Sequence, residues 1–288
     1  MEITENNFGT LFLVATPIGN LEDMTIRAIR TLKEVNLIAA EDTRNSRKLL
    51  NAYEIKTPMI SYHEHNKWER GSQLVDKLEN GVNIALISDA GTPGISDPGE
   101  ELVRECKERG IEVVPIPGAT AFVSALTACG LSAGQFTFVG FLSRLKKDRE
   151  KALESLKDES NTILFYEAPH RLQKTLTDIK NVFGEREIAL CKELTKKHEK
   201  TQRTTLSEAI IQTGKEPPRG EYVIVVEGKS EAQLKQSEQS KWEEISVTEH
   251  VELYIKQGMD KKTAMKQAAK DRGVGKRDIY SQYLQTSP

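Results

Sequence analysis

The stretch 88–99 reads SDAGTPGISDPG and directly follows the apolar run 82–87. It holds three glycines, two aspartates and no basic residue. Glycines after a strand let the backbone come close to a ligand. In open α/β sheets ligands bind beyond the carboxyl ends of the strands. The missing lysine excludes a Walker loop, and the first loop, T-P-I-G-N at 16–20, has too few glycines for a dinucleotide fingerprint. Asp89 and Asp97 would repel a polyphosphate unless a metal intervened. They suit a ligand that carries positive charge and no phosphate. S-adenosylmethionine, with its sulfonium and ammonium, has that character. The spacing alone fits equally well a tight surface turn in which Asp97 only caps the next helix, with Pro98 at N1 and Glu100 at N3.

The elements that position this loop follow from hydrophobic periodicity. Strands are expected at 11–15, 37–40, 83–88 and 111–114, with helices after them. Ile26, Ile29 and Leu32 give the first helix an apolar face. The loops 16–20, 88–96 and 117–121 all fall at strand ends. Strand–helix alternation indicates a parallel sheet. After a hinge at 131–134 a second α/β unit is expected, with strands at 136–141, 162–166, 187–190 and 221–226 and a helix opening at 168–172. Residues 228–241 are polar and read as a linker. Ser246-x-x-Glu249 fits a capping box. Ala264, Met265, Ala268 and Ala269, then Ile279, Tyr280, Tyr283 and Leu284, mark two short helices around Gly273-Val-Gly275, which suits a helix-turn-helix. The resulting division is 10–131, 132–229, a linker 230–244 and a helical piece 245–288.

Composition bounds the class. The 288 residues suit about two domains with an appendage. No apolar run approaches the ~20 residues of a membrane span, and the polar start does not read as a targeting peptide. Cys106, Cys129 and Cys191 show neither zinc nor disulfide spacing, which fits a reducing cytoplasm. From His250 on, eight Lys or Arg face four Asp or Glu. That tail carries +4, so against a total of −2 the preceding residues carry −6.

Taken in order, the motifs V-A-T-P-I-G-N-L-E-D, A-A-E-D-T-R, S-D-A-G-T-P-G-I-S-D-P-G, P-I-P-G-A-T-A, F-Y-E-A-P-H-R-L, C-K-E-L-T-K-K-H-E and R-G-E-Y-V-I-V-V-E-G span about residues 10–228. The set resembles the tetrapyrrole-methylase superfamily of S-adenosylmethionine-dependent methyltransferases. Within it the chain is similar to the branch that 2′-O-methylates a cytidine ribose of 16S ribosomal RNA near the decoding centre. The resemblance implies two α/β domains with the cofactor in the cleft between them, a small C-terminal helical domain and a homodimer. It implies that Pro17 borders the cofactor. Asp89, Ala90, Gly91 and Ile95 would lie against it, joined by Thr120 and Ala121. Tyr166, Glu167, Leu194, Gly220 and Glu221 would contribute from the second domain.

Attack by a 2′-hydroxyl on the sulfonium methyl needs alignment and a proton acceptor. Asp42, Glu167, His170, Glu193 and His198 are candidates, and no spacing singles one out. Arg44, Arg171, Lys192 and Lys196 in the motif loops, with Lys276 and Arg277 in the tail, are candidates for RNA phosphates. Structural roles compete with these. Glu41 and Asp42 would cap a helix, His170 would start one, and Lys196-Lys197 would be solvated surface. His63 and His65 form an H-x-H at a polar strand end, and no metal site is expected. Trp68 and Trp242 are expected as packing anchors, and Met259 and Met265 as tail core. Two other functions remain open: a tetrapyrrole C-methyltransferase, against which the basic tail argues, and a DNA-binding regulator using the tail, which offers few side chains for base readout.

Overall fold

In the computed structural model, residues 7–243 and 245–286 are described. Ten strands, twelve α-helices and one short 3-10 helix (Leu21–Asp23) are found among them. The first sheet is built from β1 (Leu11–Val14), β2 (Leu37–Ala40), β3 (Met59–Ser61), β4 (Ile84–Ile87) and β5 (Val113–Ile116). Its order is β3-β2-β4-β1-β5 and every pairing is parallel. The central strand β4 is buried along its whole length, as a parallel strand covered on both faces must be. On one face α1 (Ile26–Glu34) and α2 (Thr43–Ala52) pack through Ala28, Leu32 and Leu50. On the other, α3 (Lys67–Glu79) and α4 (Glu100–Glu108) pack through Leu74, Val75, Leu78, Leu102 and Cys106. The helix α5 (Ala121–Ala128) follows β5.

The second sheet has β6 (Phe136–Phe141), β7 (Thr162–Glu167), β8 (Glu187–Lys192), β9 (Lys200–Thr205) and β10 (Tyr222–Val226) in the order β6-β7-β10-β8-β9. Only β6–β7 is parallel. The helices of this part are α6 (Lys146–Leu156), α7 (Pro169–Phe183) and α8 (Leu206–Lys215). The helix α5 buries Ala125 and Leu126 against Leu164, Ala189 and Val223 of this sheet, so both sheets belong to one compact unit. That unit comprises the chain up to Glu154 and Thr162–Glu227.

The second unit comprises Ser155–Asn161 and Gly228–Pro288. Lys229 ties its two segments by donating from its backbone to Glu159 O (2.7 Å) and from Nζ to Asp158 (2.6 Å). It contains α9 (Glu231–Glu243), α10 (Val247–Lys256), α11 (Lys261–Asp271) and α12 (Lys276–Thr286). Val251, Ala264, Ala268, Ile279 and Tyr283 form its core, with Met259 and Met265 packed against it. The Ser246–Glu249 capping box forms as expected, and Trp242 stacks on buried His250 with ring centroids 3.6 Å apart.

Several expectations change. The polar stretch expected as a linker is the helix α9, since its Glu, Lys, Gln and Ala content favours helix even without an apolar face. Trp68 is 70% exposed, because α3 turns Gly71, Leu74, Val75 and Leu78 inward. Ile26, in the first turn of α1, is also exposed. The strand expected at 111–114 is β5, Val113–Ile116. Neither β3 nor β9 has a hydrophobic run to announce it. Three-residue β3 is half-buried, and β9 (KTQRTT) is a polar edge strand.

Candidate active site

The turns after β1, β4 and β5 meet at the carboxyl edge of the first sheet. Thr16 N donates to Gly91 O (2.8 Å) and Gly91 N to Thr16 O (3.1 Å), so the first loop is stitched to the glycine-rich one. Gly91 sits at φ +87°, a conformation that glycine adopts without strain. Thr92 and Thr120 share a hydroxyl hydrogen bond of 2.8 Å, which adds the third loop. At Gly118 a Cβ would come within 2.9 Å of the Ala15 Cβ, so a larger residue would push the first and third loops apart.

These loops form one wall of a cavity of about 400 Å³. Ile18, Glu41, Asp89, Ala90, Gly91, Thr92, Ile95, Ser96, Asp97, Thr120 and Ala121 line it from this side. The second sheet supplies Phe141, Tyr166, Glu167, Ala168, Pro169, Cys191, Leu194, Lys196, Glu221, Tyr222 and Val223. Tyr166 OH accepts the backbone N–H of Phe122 (3.1 Å), which joins β7 to the start of α5. Its ring meets Phe138 and Phe141 edge-on. Burial pushes the Tyr166 hydroxyl up to about 12, so it stays protonated at neutral pH.

The acids concentrate on the first wall. Asp89 accepts from Asp42 N (3.2 Å) and Asn45 Nδ2 (3.3 Å), so the start of α2 fixes its carboxylate. Asp97 is not the helix cap: α4 begins after Gly99, which stands at φ +150°. Asp97 instead turns to the cavity. Burial, with the charges of Glu41 and Asp89, pushes its carboxyl up to about 6, against the hydrogen bond from Ser88. Burial and the neighbouring Asp89 and Asp42 also raise Glu41. Burial disfavours the charged form of a carboxylate, and the like charges beside it add to the effect. The cavity therefore gains by receiving positive charge.

The structure brings together ten of the twelve expected cofactor positions. Asp89, Ala90, Gly91, Ile95, Thr120, Ala121, Tyr166, Glu167, Leu194 and Glu221 all line the cavity. Pro17 and Gly220 do not, although each adjoins a residue that does. Gly220 stands at φ +80°, and a Cβ there would lie 2.4 Å from the Glu193 side chain. Asp97, Glu41, Ile18 and Phe141 were not among the expected cofactor positions. In the sequence Asp97 reads as a ligand acid and equally as a helix cap, and Phe141 lies at the end of a strand.

The expected proton acceptors separate. Asp42 caps α2 and pairs with exposed Arg44 at 3.1 Å, and those hydrogen bonds hold its carboxyl below the usual range. Glu167 lines the cavity, but Thr175 Oγ1 (2.6 Å), Ala168 N (2.9 Å) and Arg171 Nε (3.4 Å) occupy its carboxylate. Glu193 accepts from Glu221 N (2.9 Å) and Lys196 Nζ (3.0 Å), which lower it. Lys196 bridges Glu193 and Glu221 (2.8 Å) beside Gly19. Burial works against its charge, and the two hydrogen bonds outweigh that and raise its pKa. His170 and Arg171 line a second cavity and Lys192 a third. Lys276 and Arg277 begin α12 in the other unit and are exposed. His198 is exposed in the turn before β9. His63 and His65 follow β3 with their rings edge-on, 6.0 Å apart.

The profile of the Tetrapyrrole (Corrin/Porphyrin) Methylases matches residues 10–210. The chain belongs to this family. It is 52% identical to the ribosomal RNA small subunit methyltransferase I of Bacillus subtilis, over 97% of this chain and 95% of that protein. It is 48% identical to the protein of the same name from Thermotoga maritima, with 77% of this chain covering 99% of that one. Among solved structures, the uroporphyrin-III C-methyl transferase of Thermus thermophilus, complexed with S-adenyl homocysteine, matches with a TM-score of 0.57 at 20% identity. That likeness covers 76% of this chain and 97% of that one. Diphthine synthase matches with a TM-score of 0.59 at 13% identity, over 77% and 91%. These likenesses show the fold: a tetrapyrrole-methylase arrangement of two α/β sheets with an added helical region.

Proposed function

We propose that this chain is an S-adenosylmethionine-dependent methyltransferase that 2′-O-methylates a cytidine ribose of 16S ribosomal RNA near the decoding centre. The observation that carries this reading is the near full-length identity to proteins named ribosomal RNA small subunit methyltransferase I. The cavity supports the cofactor half of it independently. Its acids fit a cationic, phosphate-free ligand, and the backbone at Gly91 admits close approach. When bound, S-adenosylmethionine supplies an electrophilic methyl group on a sulfonium.

The chain's own residues then have distinct tasks. Asp89, fixed by α2, and Glu41 meet positive charge. Ala90, Gly91, Ile95, Thr120 and Ala121 hold one side of the cofactor, and Tyr166, Leu194 and Glu221 hold the other, with Pro17 and Gly220 shaping the adjoining turns. Asp97 is the cavity carboxylate best suited to take the hydroxyl proton. It faces the cavity and, with its pKa at about 6, is ionised but still basic at neutral pH. Glu167 serves instead as a buried strut for Arg171 and Thr175. Arg44, Lys192, Lys276 and Arg277 are left exposed or half-exposed for RNA phosphates.

We read residues 10–131 and 132–229 as the two catalytic halves and 245–288 as an RNA-gripping appendage. The Thermotoga maritima relative is accounted for by 77% of this chain, in keeping with an accessory role for part of it. A homodimer in the cytoplasm completes the reading, and among the described residues no helix is long and apolar enough to cross a membrane.

The deciding experiment is methyl transfer from labelled S-adenosylmethionine to small ribosomal subunits that lack the modification, with nuclease mapping. Label on a cytidine 2′-oxygen is the expected result. Label on a base, or on a tetrapyrrole but not on RNA, would overturn the reading.

A further inference from the structure

The second sheet carries a pocket that cofactor binding does not use. Its volume is about 310 Å³, and Arg144, Arg149, His170, Arg171, Lys174 and Thr175 line it. Arg149 is the unusual member, being only 2% exposed. Its Nε donates to Asp178 (2.6 Å), and its Nη1 to the carbonyls of Ser143 (3.0 Å) and Arg144 (3.1 Å). Its Nη2 is buried and has no partner. A buried donor left without an acceptor is destabilising. Such a group is held in place where an incoming acceptor would repay it.

The charged residues that line it are all basic. Arg149 is matched by Asp178, and Arg171 by Glu167. Arg144 and Lys174 are exposed and form no ion pair among the described residues. The pocket therefore keeps two uncompensated positive charges. It also stands at the start of α7, a helix of 15 residues whose N-cap, Ala168, offers no side-chain acceptor and whose first turn has no acid. That end of a helix favours anions, and the Glu167 carboxylate already accepts from Ala168 N there.

The position adds meaning to the charge. Glu167, Ala168 and Pro169 line the large cavity, and His170, Arg171 and Lys174 line this pocket. The chain passes from one to the other within the first turns of α7.

We propose that this pocket binds a backbone phosphate of the RNA strand beside the methylated nucleotide. This rests on the RNA methyltransferase reading above. Arg149, which lines the pocket with one guanidinium nitrogen unpartnered, supplies a fixed positive charge, and Arg144 and Lys174 meet the phosphate from the surface. The phosphate sets the strand's register, so that the neighbouring ribose enters the large cavity.

Arg149 itself holds loop carbonyls and is a poor first target. The test uses the full chain with Arg144→Ala, Lys174→Ala and the double variant, and Lys174→Arg as a control. RNA affinity is measured at several salt concentrations on unmodified small subunits, and S-adenosylmethionine affinity by calorimetry. The double variant is expected to bind RNA about tenfold more weakly, with a salt slope lower by about 1, the contribution of one phosphate. Cofactor affinity is expected to hold, and Lys174→Arg to retain the wild-type slope. An unchanged affinity and slope in the double variant would overturn the proposal. So would inorganic phosphate raising the wild-type Tm but not the double variant's while RNA binding stays equal, since the pocket would then serve free phosphate. If wild type neither binds nor methylates RNA, the functional reading itself fails, and that result is separate because it involves no variant.

Discussion

The edge of the first sheet and the outer pockets of the second carry opposite charge. Around the cavity at this edge Glu41, Asp89 and Asp97 crowd together, two of them raised by burial and by neighbouring carboxylates. The second sheet's outer pockets are basic. One holds Arg144, Arg149, Arg171 and Lys174. Another, of about 480 Å³, holds Lys192, Lys200 and Arg219 against a single acid, Glu216. Tyr222 lines both that pocket and the acidic cavity. A molecule nearly neutral overall has sorted its charge by ligand: acid where a cationic cofactor fits, base where a polyanion would lie. Net charge alone hides such sorting.

The sharpest way to break this comparison is at Asp89. Asp89→Ala should lower S-adenosylmethionine affinity by ten- to a hundredfold, about 1.4–2.8 kcal/mol, as expected for a lost charge-assisted contact. Calorimetry with folding checked by circular dichroism measures this, and unchanged affinity would remove the cationic-ligand account of the acidic wall. Removing residues 245–288 should have the next effect, about tenfold weaker RNA binding with cofactor affinity intact. Equal RNA affinity at all salt concentrations would confine RNA recognition to the two sheets.

Asp97 gives a smaller but signed effect. Its folded pKa of about 6 lies above the ordinary 3.8, so protonation favours the folded state. That contribution is complete below pH 4 and is lost as pH rises through 6. Asp97→Asn should therefore be more stable than wild type at pH 7, by about 1 kcal/mol once partial exposure is allowed for, and the two should converge near pH 4. Methyl transfer should fall in the same variant and lose its rise near pH 6. Thermal melts across pH with a constant difference between the two proteins would place Asp97 in solvent instead.

Residue pattern determined much of this protein. The apolar runs at 37–40 and 84–87, each followed by a helical stretch, read as inner strands of a parallel sheet, and the structure buries them as such. The glycines and paired aspartates of 88–99 already favoured a cationic ligand over a polyphosphate without a metal, though a surface turn fitted the spacing as well. The Ser246–Glu249 box and the alanine-lined tail core followed from helical spacing alone. Tertiary structure decided the rest. Asp97 has a faultless cap signature, yet Gly99 takes that place and frees the carboxylate for the cavity. Glu167 and Lys196 look like free functional groups in the sequence, but each is held by partners from 3 to 25 residues away. Trp68 faces outward because Leu74 and Val75 claim the inner side of α3. The basic pocket at α7 was invisible for the same reason. Arg144 and Arg149 lie more than 20 residues from His170 and Lys174, and only the packing of α6 and α7 against the second sheet closes that distance. Periodicity records which face of an element is buried, and a side chain's partners depend on what the fold brings to it.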